Sequence, residues 1–262
     1  MRQIRFNSNI KEVRLRKESI IGFIENKIYI ININSLETID ILEIEKTKKS
    51  IYSISYFNNK LVISFPQNNN IGKLQIEKYF ITNKNSKKEE TIIKNAHESN
   101  IIFISNNNEG TLVATASEKG QYLRIFNSES GDLLAELKKG KKPIYWISFE
   151  GNNDFIGYAS NIGKAYIYDI REIKNIINNK EEDKKEENNK KEIQNKSRIN
   201  RKIKIKPFTK FKFEQNRCII GFIQQKHFII LTFKGQLYKI AYDEIFKNCN
   251  LIDENYIEIT KK

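Results

Sequence analysis

Short runs rich in Ile, Tyr and Phe alternate along the chain with clusters of Asn, Gly, Lys and Ser. This is the punctuation of strands and turns. The runs fall into quartets. The first occupies 11–16, 19–24, 27–33 and 37–42, and the second 51–56, 60–64, 73–80 and 90–93. The third, at 101–104, 112–117, 122–127 and 132–137, is the most regular. A fourth takes 144–149, 155–160, 164–169 and, after an interruption, 208–213; the last takes 218–223, 227–232, 236–243 and 256–259. Aromatic and β-branched side chains are abundant while Met, Trp and Ala are scarce, a mix that favours strands over helices.

Quartets recurring roughly every 40–50 residues are the mark of propeller blades. A β-sandwich also gives short strands at regular spacing. The third quartet, together with the fourth, decides between them. Its sequence, EGTLVATASEKGQYLRIFNSESGDLLAEL, reads as a WD40-type blade: apolar strand, Gly-containing turn, strand, Ser-Gly turn, strand. The Trp-Asp dipeptide of that pattern is absent; Asn127 sits where its aspartate falls, and Asp169 holds that place in the next blade. The expectation is an all-β, WD40-like β-propeller with about five recognisable four-stranded blades, spanning 1–262 as a single domain.

Residues 171–206 break the rhythm. They are dominated by Lys, Glu and Asn, with Ile as the large apolar residue. Such a composition buries too little to offset ordering entropy, so the segment is expected to be an insertion within one blade. It suits either an unstructured loop or a charged helix over about 173–191.

The formal net charge is +14, from 46 Lys+Arg against 32 Asp+Glu. That excess favours nucleic acid, acidic proteins or anionic lipid, without choosing among them. Cys218 and Cys249 form no CxxC pair, which points to free thiols rather than a disulfide. The first residues lack the apolar core of a secretory signal, and no apolar run approaches the ~18 residues of a spanning helix. A soluble or peripheral protein is expected. No GxGxxG, Walker-type, HExxH or GxSxG pattern occurs, so no enzyme is expected, and no cofactor or metal is implied.

Four pieces of the chain carry a family resemblance: Ala96-His97, the segment TASEKGQ over 115–121, Arg124-Ile125-Phe126, and Leu137-Lys138-Lys139-Gly140. Together they resemble the PROPPIN family of phosphoinositide-binding propellers, and the stretch FNSNIKEVRLRKESIIGFIENKIYIININSLETI extends the likeness toward the start. The family has seven blades, so the resemblance implies an incomplete ring that begins inside the second blade, with 2–6 as that blade's outer strand. It also implies two headgroup pockets flanking a basic pair, here Lys-Lys in place of Arg-Arg. The first pocket carries over onto His97, Thr115, Ser117, Gly120, Arg124 and Lys138, with Gln121 where threonine is usual. Thr115 and Ser117 lie two apart on one strand and so share a face. The second carries over onto Lys139, Ser160 and Lys164, with Tyr166 where histidine is usual. Lysine supplies charge without arginine's bidentate fork, so weaker binding is expected there.

The implied function is recognition of 3-phosphorylated inositol lipids, the 3-phosphate and the 3,5-bisphosphate. The protein would act as a cytoplasmic adaptor, peripheral on endosomal, vacuolar or autophagosomal membranes. Its implied partners are phosphoinositide-containing membranes and autophagy or trafficking proteins. The alternative is a protein-interaction scaffold that has lost lipid binding. Nucleic acid is not expected, because the aromatics sit in alternating strand patterns rather than among basic residues on one exposed face. His227, Tyr145 and Trp146 are assigned to packing.

Overall fold

Strand after strand is closed by a tight turn whose chemistry is written in the sequence. The computed structural model describes residues 3–44, 51–67, 71–81, 86–139, 143–173, 175, 203–214, 217–223, 226–243 and 248–256. Packing divides the chain into two compact units, Met1–Lys119 with Ser128–Gly131, and Gly120–Asn127 with Asp132–Lys262. Among the described residues the strands form five sheets, one for each expected quartet, as propeller blades require.

In the first unit, β1 (Ile10–Arg16), β2 (Ser19–Ile24), β3 (Lys27–Asn32) and β4 (Thr38–Glu43) form one antiparallel sheet in sequential order. A second sheet joins β5 (Ser53–Phe57), β6 (Lys60–Pro66), β7 (Leu74–Ile81) and β8 (Ser86–Ile93) in the same way. Asn58 and Asn59 both adopt positive φ, 47° and 60°, in the two-residue turn between β5 and β6. Two left-handed residues make the turn whose twist matches its flanking strands, and Asn tolerates that backbone. Core residues Ile21, Phe23, Ile28, Leu61, Ile63 and Tyr79 pack between these sheets, with Tyr52 stacked 3.9 Å from Phe23. The unit also holds the antiparallel pair β9 (Ile101–Asn106) and β10 (Leu112–Ser117).

The second unit pairs β11 (Tyr122–Asn127) with β12 (Leu133–Lys138). Two more sheets follow. One is β13 (Ile144–Phe149), β14 (Phe155–Ser160), β15 (Lys164–Asp169) and β17 (Thr209–Lys212); the other is β18 (Cys218–Ile223), β19 (His227–Thr232), β20 (Gln236–Asp243) and β21 (Asn248–Tyr256). Their shared core holds Phe155, Ile167, Phe228, Ile230 and Tyr238, with Tyr145 and Trp146 partly buried against it. Gly157 is required there: a Cβ would stand 2.7 Å from the Phe228 ring. Strands β10 and β14 are buried at every position, as expected of strands covered on both faces.

Three details differ from the sequence reading. The strand beside β20 is Asn248–Tyr256, beginning well before the expected 256–259 and pairing from Asp243↔Asn248; residues 257–259 lie outside the described residues. Of the expected outer strand 2–6, residues 3–6 form no strand and residue 2 lies outside the described residues; Phe6 packs edge-on against Tyr29 at 5.1 Å. Within 171–206, Arg171, Glu172 and Ile173 are helical with Ile173 buried, and β16 (Ile203–Ile205) runs parallel to β12. Residues 174 and 176–202 lie outside the described residues, so most of the expected insertion and its helix do too. Both cysteines are free; burial pushes the Cys218 thiol up to about 12.

Candidate functional site

The first group of expected site residues belongs to the first unit. The loop Ala96–Asn100 is stapled to the end of β10: Glu118 donates its backbone N–H to the Asn100 carbonyl at 2.9 Å, and Lys119 donates to the Ser99 hydroxyl at 3.1 Å. His97 is fixed from behind, its N–H donating to the Gly72 carbonyl at 2.9 Å. Gly72 has a φ of +70°, and a Cβ there would fall 1.7 Å from the His97 carbonyl oxygen. Only glycine permits this approach. The His97 Nε2 then reaches the Thr115 hydroxyl at 2.8 Å. Both side chains are buried, as is Ser117. The β9–β10 register skips Ile102, so the bulge lies on β9 and Thr115 and Ser117 keep one face of β10. The Thr115 hydroxyl orients the imidazole.

The second group belongs to the second unit. Arg124 on β11 stands directly opposite Glu136 on β12, and its Nε donates to Glu136 Oε1 at 3.0 Å. The carboxylate side chain is 4% exposed and the arginine 24%. Lys138 lies two residues beyond Glu136, in register with Tyr122, so Arg124 and Lys138 share a face of the hairpin. Diagonal neighbours of this kind are about 7–8 Å apart. Lys138 is exposed at the strand end, whereas Lys139 is 7% exposed, and burial holds its ammonium below the usual lysine range. Gly120 is half-buried just before β11.

The Lys138-Lys139 backbone is held by groups that the sequence reading missed. Tyr168 donates its hydroxyl to the Lys138 carbonyl at 2.7 Å, and Tyr158 to the Lys139 carbonyl at 3.4 Å. The Lys139 N–H donates to the Gln121 carbonyl at 2.8 Å. Burial pushes both tyrosine hydroxyls well above the ordinary phenol range, so they stay protonated donors. The second expected pocket is differently occupied. Ser160 is buried and donates to the Lys164 carbonyl at 3.0 Å, while Tyr166 stacks on Tyr158 at 4.9 Å. Among the described residues no three His, Cys, Asp or Glu side chains form a metal site, and no helix is long and apolar enough to cross a membrane.

The family model described as PROPPIN matches residues 2–188. The chain belongs to the PROPPIN family. Among curated PROPPIN relatives it is similar to SVP1-like protein 2 of Saccharomyces cerevisiae, 31% identical over 67% of this chain and 44% of that one. It is also similar to the human WD repeat domain phosphoinositide-interacting protein 1, 28% identical over 65% of this chain and 38% of the relative. The chain thus spans less than half the length of these relatives. Of solved structures, Kluyveromyces lactis Hsv2 superposes with a TM-score of 0.71 at 16% identity, covering 97% of this chain and 76% of that one. The complex of KlAtg21 with the coiled-coil of AgAtg16 gives 0.70 at 17% identity, covering 97% and 72%. The fold is that of a PROPPIN β-propeller.

Proposed function

We propose that this PROPPIN chain binds the phosphorylated headgroup of a 3-phosphoinositide at a membrane surface, acting as an adaptor rather than a catalyst. The observation that carries the reading is the pair Arg124 and Lys138 on one face of the β11–β12 hairpin. Phosphate recognition asks for a guanidinium held in place and a second cation within reach. Glu136 holds the first, and the tyrosine-braced strand end presents the second. Gly120, just before β11, is assigned a backbone share in that site; on the first unit His97, Thr115 and Ser117 are assigned headgroup contact in their own right, with His97 as donor and Thr115 orienting it. Lys139, Ser160 and Lys164 are assigned a lesser share, since the Ser160 hydroxyl is engaged by its own hairpin.

The human relative's name carries phosphoinositide interaction, a Caenorhabditis elegans relative is named autophagy-related protein 18, and the KlAtg21 structure holds the coiled-coil of AgAtg16. By extension the adaptor sits peripherally on autophagic, endosomal or vacuolar membranes and recruits autophagy proteins there. Vesicle flotation with and without phosphatidylinositol 3-phosphate tests the reading. Binding that requires the lipid, and that falls about tenfold or more in Arg124→Gln, is expected. Absence of binding by the folded, unmutated protein would return the scaffold reading in its place.

A further inference from the structure

One outer strand carries an extra partner. Among the described residues β4, β8, β17 and β21 each close their sheet, whereas β12 takes β16 along its outer edge. The pairing is parallel, with Ala135↔Ile203, Glu136↔Lys204 and Leu137↔Ile205. The Lys139 N–H donates to the Gln121 carbonyl on the β11 side, so strand alternation turns the N–H and C=O of Glu136 the other way, toward β16. Ile203 and Ile205 are half-buried, and Lys204 between them is exposed opposite Glu136. The edge thus accepts two aliphatic side chains at alternate positions with a polar one between them.

As an occupant β16 is weak. It is Ile203–Ile205 against the longer Leu133–Lys138, so Leu133, Leu134 and Lys138 lie beyond its register. Parallel pairing is the less stable kind per residue. Pro207 follows closely and has no N–H to extend the ladder, and the Lys138 carbonyl is already taken by the Tyr168 hydroxyl. Each residue fixed in such a strand loses backbone freedom comparable to what one hydrogen bond returns. A strand held so lightly comes off, and the uncovered β12 is then a template for another. We propose that the β12 edge is a strand-addition site, where an extended segment of a partner protein with aliphatic residues at alternate positions displaces β16. The occupant is a partner rather than a second copy. A copy's own β16 would restore the same pairs and nothing more, against the repulsion of two chains of net charge +14. A longer segment also pairs with Leu133 and Leu134, and so outdoes the strand it replaces. Pairing here needs no lipid, so it stands whether or not the headgroup reading does.

The probe is the fluorescein-labelled peptide IKIKIK, which repeats the β16 alternation over the length of β12, and fluorescence anisotropy reads its binding to the full chain. Ile205→Pro takes a backbone N–H out of β16 and should raise probe affinity about tenfold over the unmutated protein, as for a site covered about nine-tenths of the time. A second variant, Ile203→Ser with Ile205→Ser, loosens the strand without altering its backbone and should shift affinity in the same direction. Ala135→Cys with Ile203→Cys places two thiols directly opposite in the ladder. Oxidation should then lock β16 down and abolish probe binding, and reduction should restore it. The scrambled peptide IIIKKK should bind far more weakly to every variant. Equal binding of the two peptides, or no gain in either loosened variant, overturns the site. So does a dimer of the unmutated chain that Ile205→Pro dissolves in light scattering, because β16 would then be passing between copies.

Discussion

Arg124 and Glu136 face each other across the β11–β12 hairpin, guanidinium Nε to carboxylate at 3.0 Å, with the acid buried and the base half-buried. The carboxylate holds the guanidinium in one orientation and also competes with any phosphate that approaches it. Removing either partner therefore has opposite effects on binding and related effects on stability. Arg124→Ala strands a buried carboxylate and should cost about 1–3 kcal/mol in chemical denaturation, together with the loss of lipid binding. Glu136→Gln should cost less stability and raise headgroup affinity severalfold, because the cation is no longer shared. A fall in affinity for Glu136→Gln would show that positioning outweighs competition.

Tyr168 is the stronger brace of the basic pair. Tyr168→Phe removes the 2.7 Å hydrogen bond to the Lys138 carbonyl and should lower stability by about 1 kcal/mol, with a matching weakening of vesicle binding. Tyr158→Phe removes a 3.4 Å contact and should cost less on both measures. Equal losses would place the bracing elsewhere.

Lys139 carries its charge against burial. Its folded-state pKa is depressed below the ordinary lysine value of 10.5, so over the interval between the two the unfolded chain binds more protons. Stability contributed by this group rises with pH through that interval, and its cost is present in full below it. Lys139→Met should therefore raise the denaturation midpoint at neutral pH, with the gain fading as pH climbs toward the lysine range. Urea titrations at neutral and alkaline pH check both the sign and the trend.

Gly72 has no tolerable substitute. Gly72→Ala combines a φ of +70° with a methyl 1.7 Å from the His97 carbonyl oxygen, so the loop carrying His97 must move. A loss above about 3 kcal/mol is expected, and what remains folded should bind lipid poorly. A stable, lipid-binding variant would mean that the His97 loop is not held from this side.

Most strands were legible because their signals are local: alternation within a run, turn residues between runs. The turn at Asn58-Asn59 and the regular third quartet are of this kind. What stayed hidden depends on pairing between distant parts of the chain. Three residues of a lysine-rich tract become β16 only because β12 offers an edge, and a parallel pairing leaves no hairpin signature. Glu136 was within reach of sequence reasoning, since the 122–127 and 132–137 hairpin sets its register against Arg124. Tyr158 and Tyr168 were not, for their partners are carbonyls of another sheet. The early start of the final strand went unread because exposed Leu251 and Ile252 blur the alternation that marks a half-buried strand.

The first and last sheets each have one face on a core and another that meets water while still bearing apolar side chains. Val13, Leu15 and Ile41 stand exposed on the first, Leu15 at 62%; Ile219 and Ile223 stand exposed on the last, and Phe233, in the turn after β19, is 71% exposed. Such surfaces make the molecule adhesive, and the +14 charge that keeps copies apart at low salt is screened as salt rises. For anyone handling the protein, salt thus acts in two directions at once. It loosens the grip on anionic lipid while drawing copies together, so a pellet at high ionic strength reports stickiness and not membrane recruitment. Flotation, which separates buoyant vesicles from sedimenting clumps, is the assay that tells these apart.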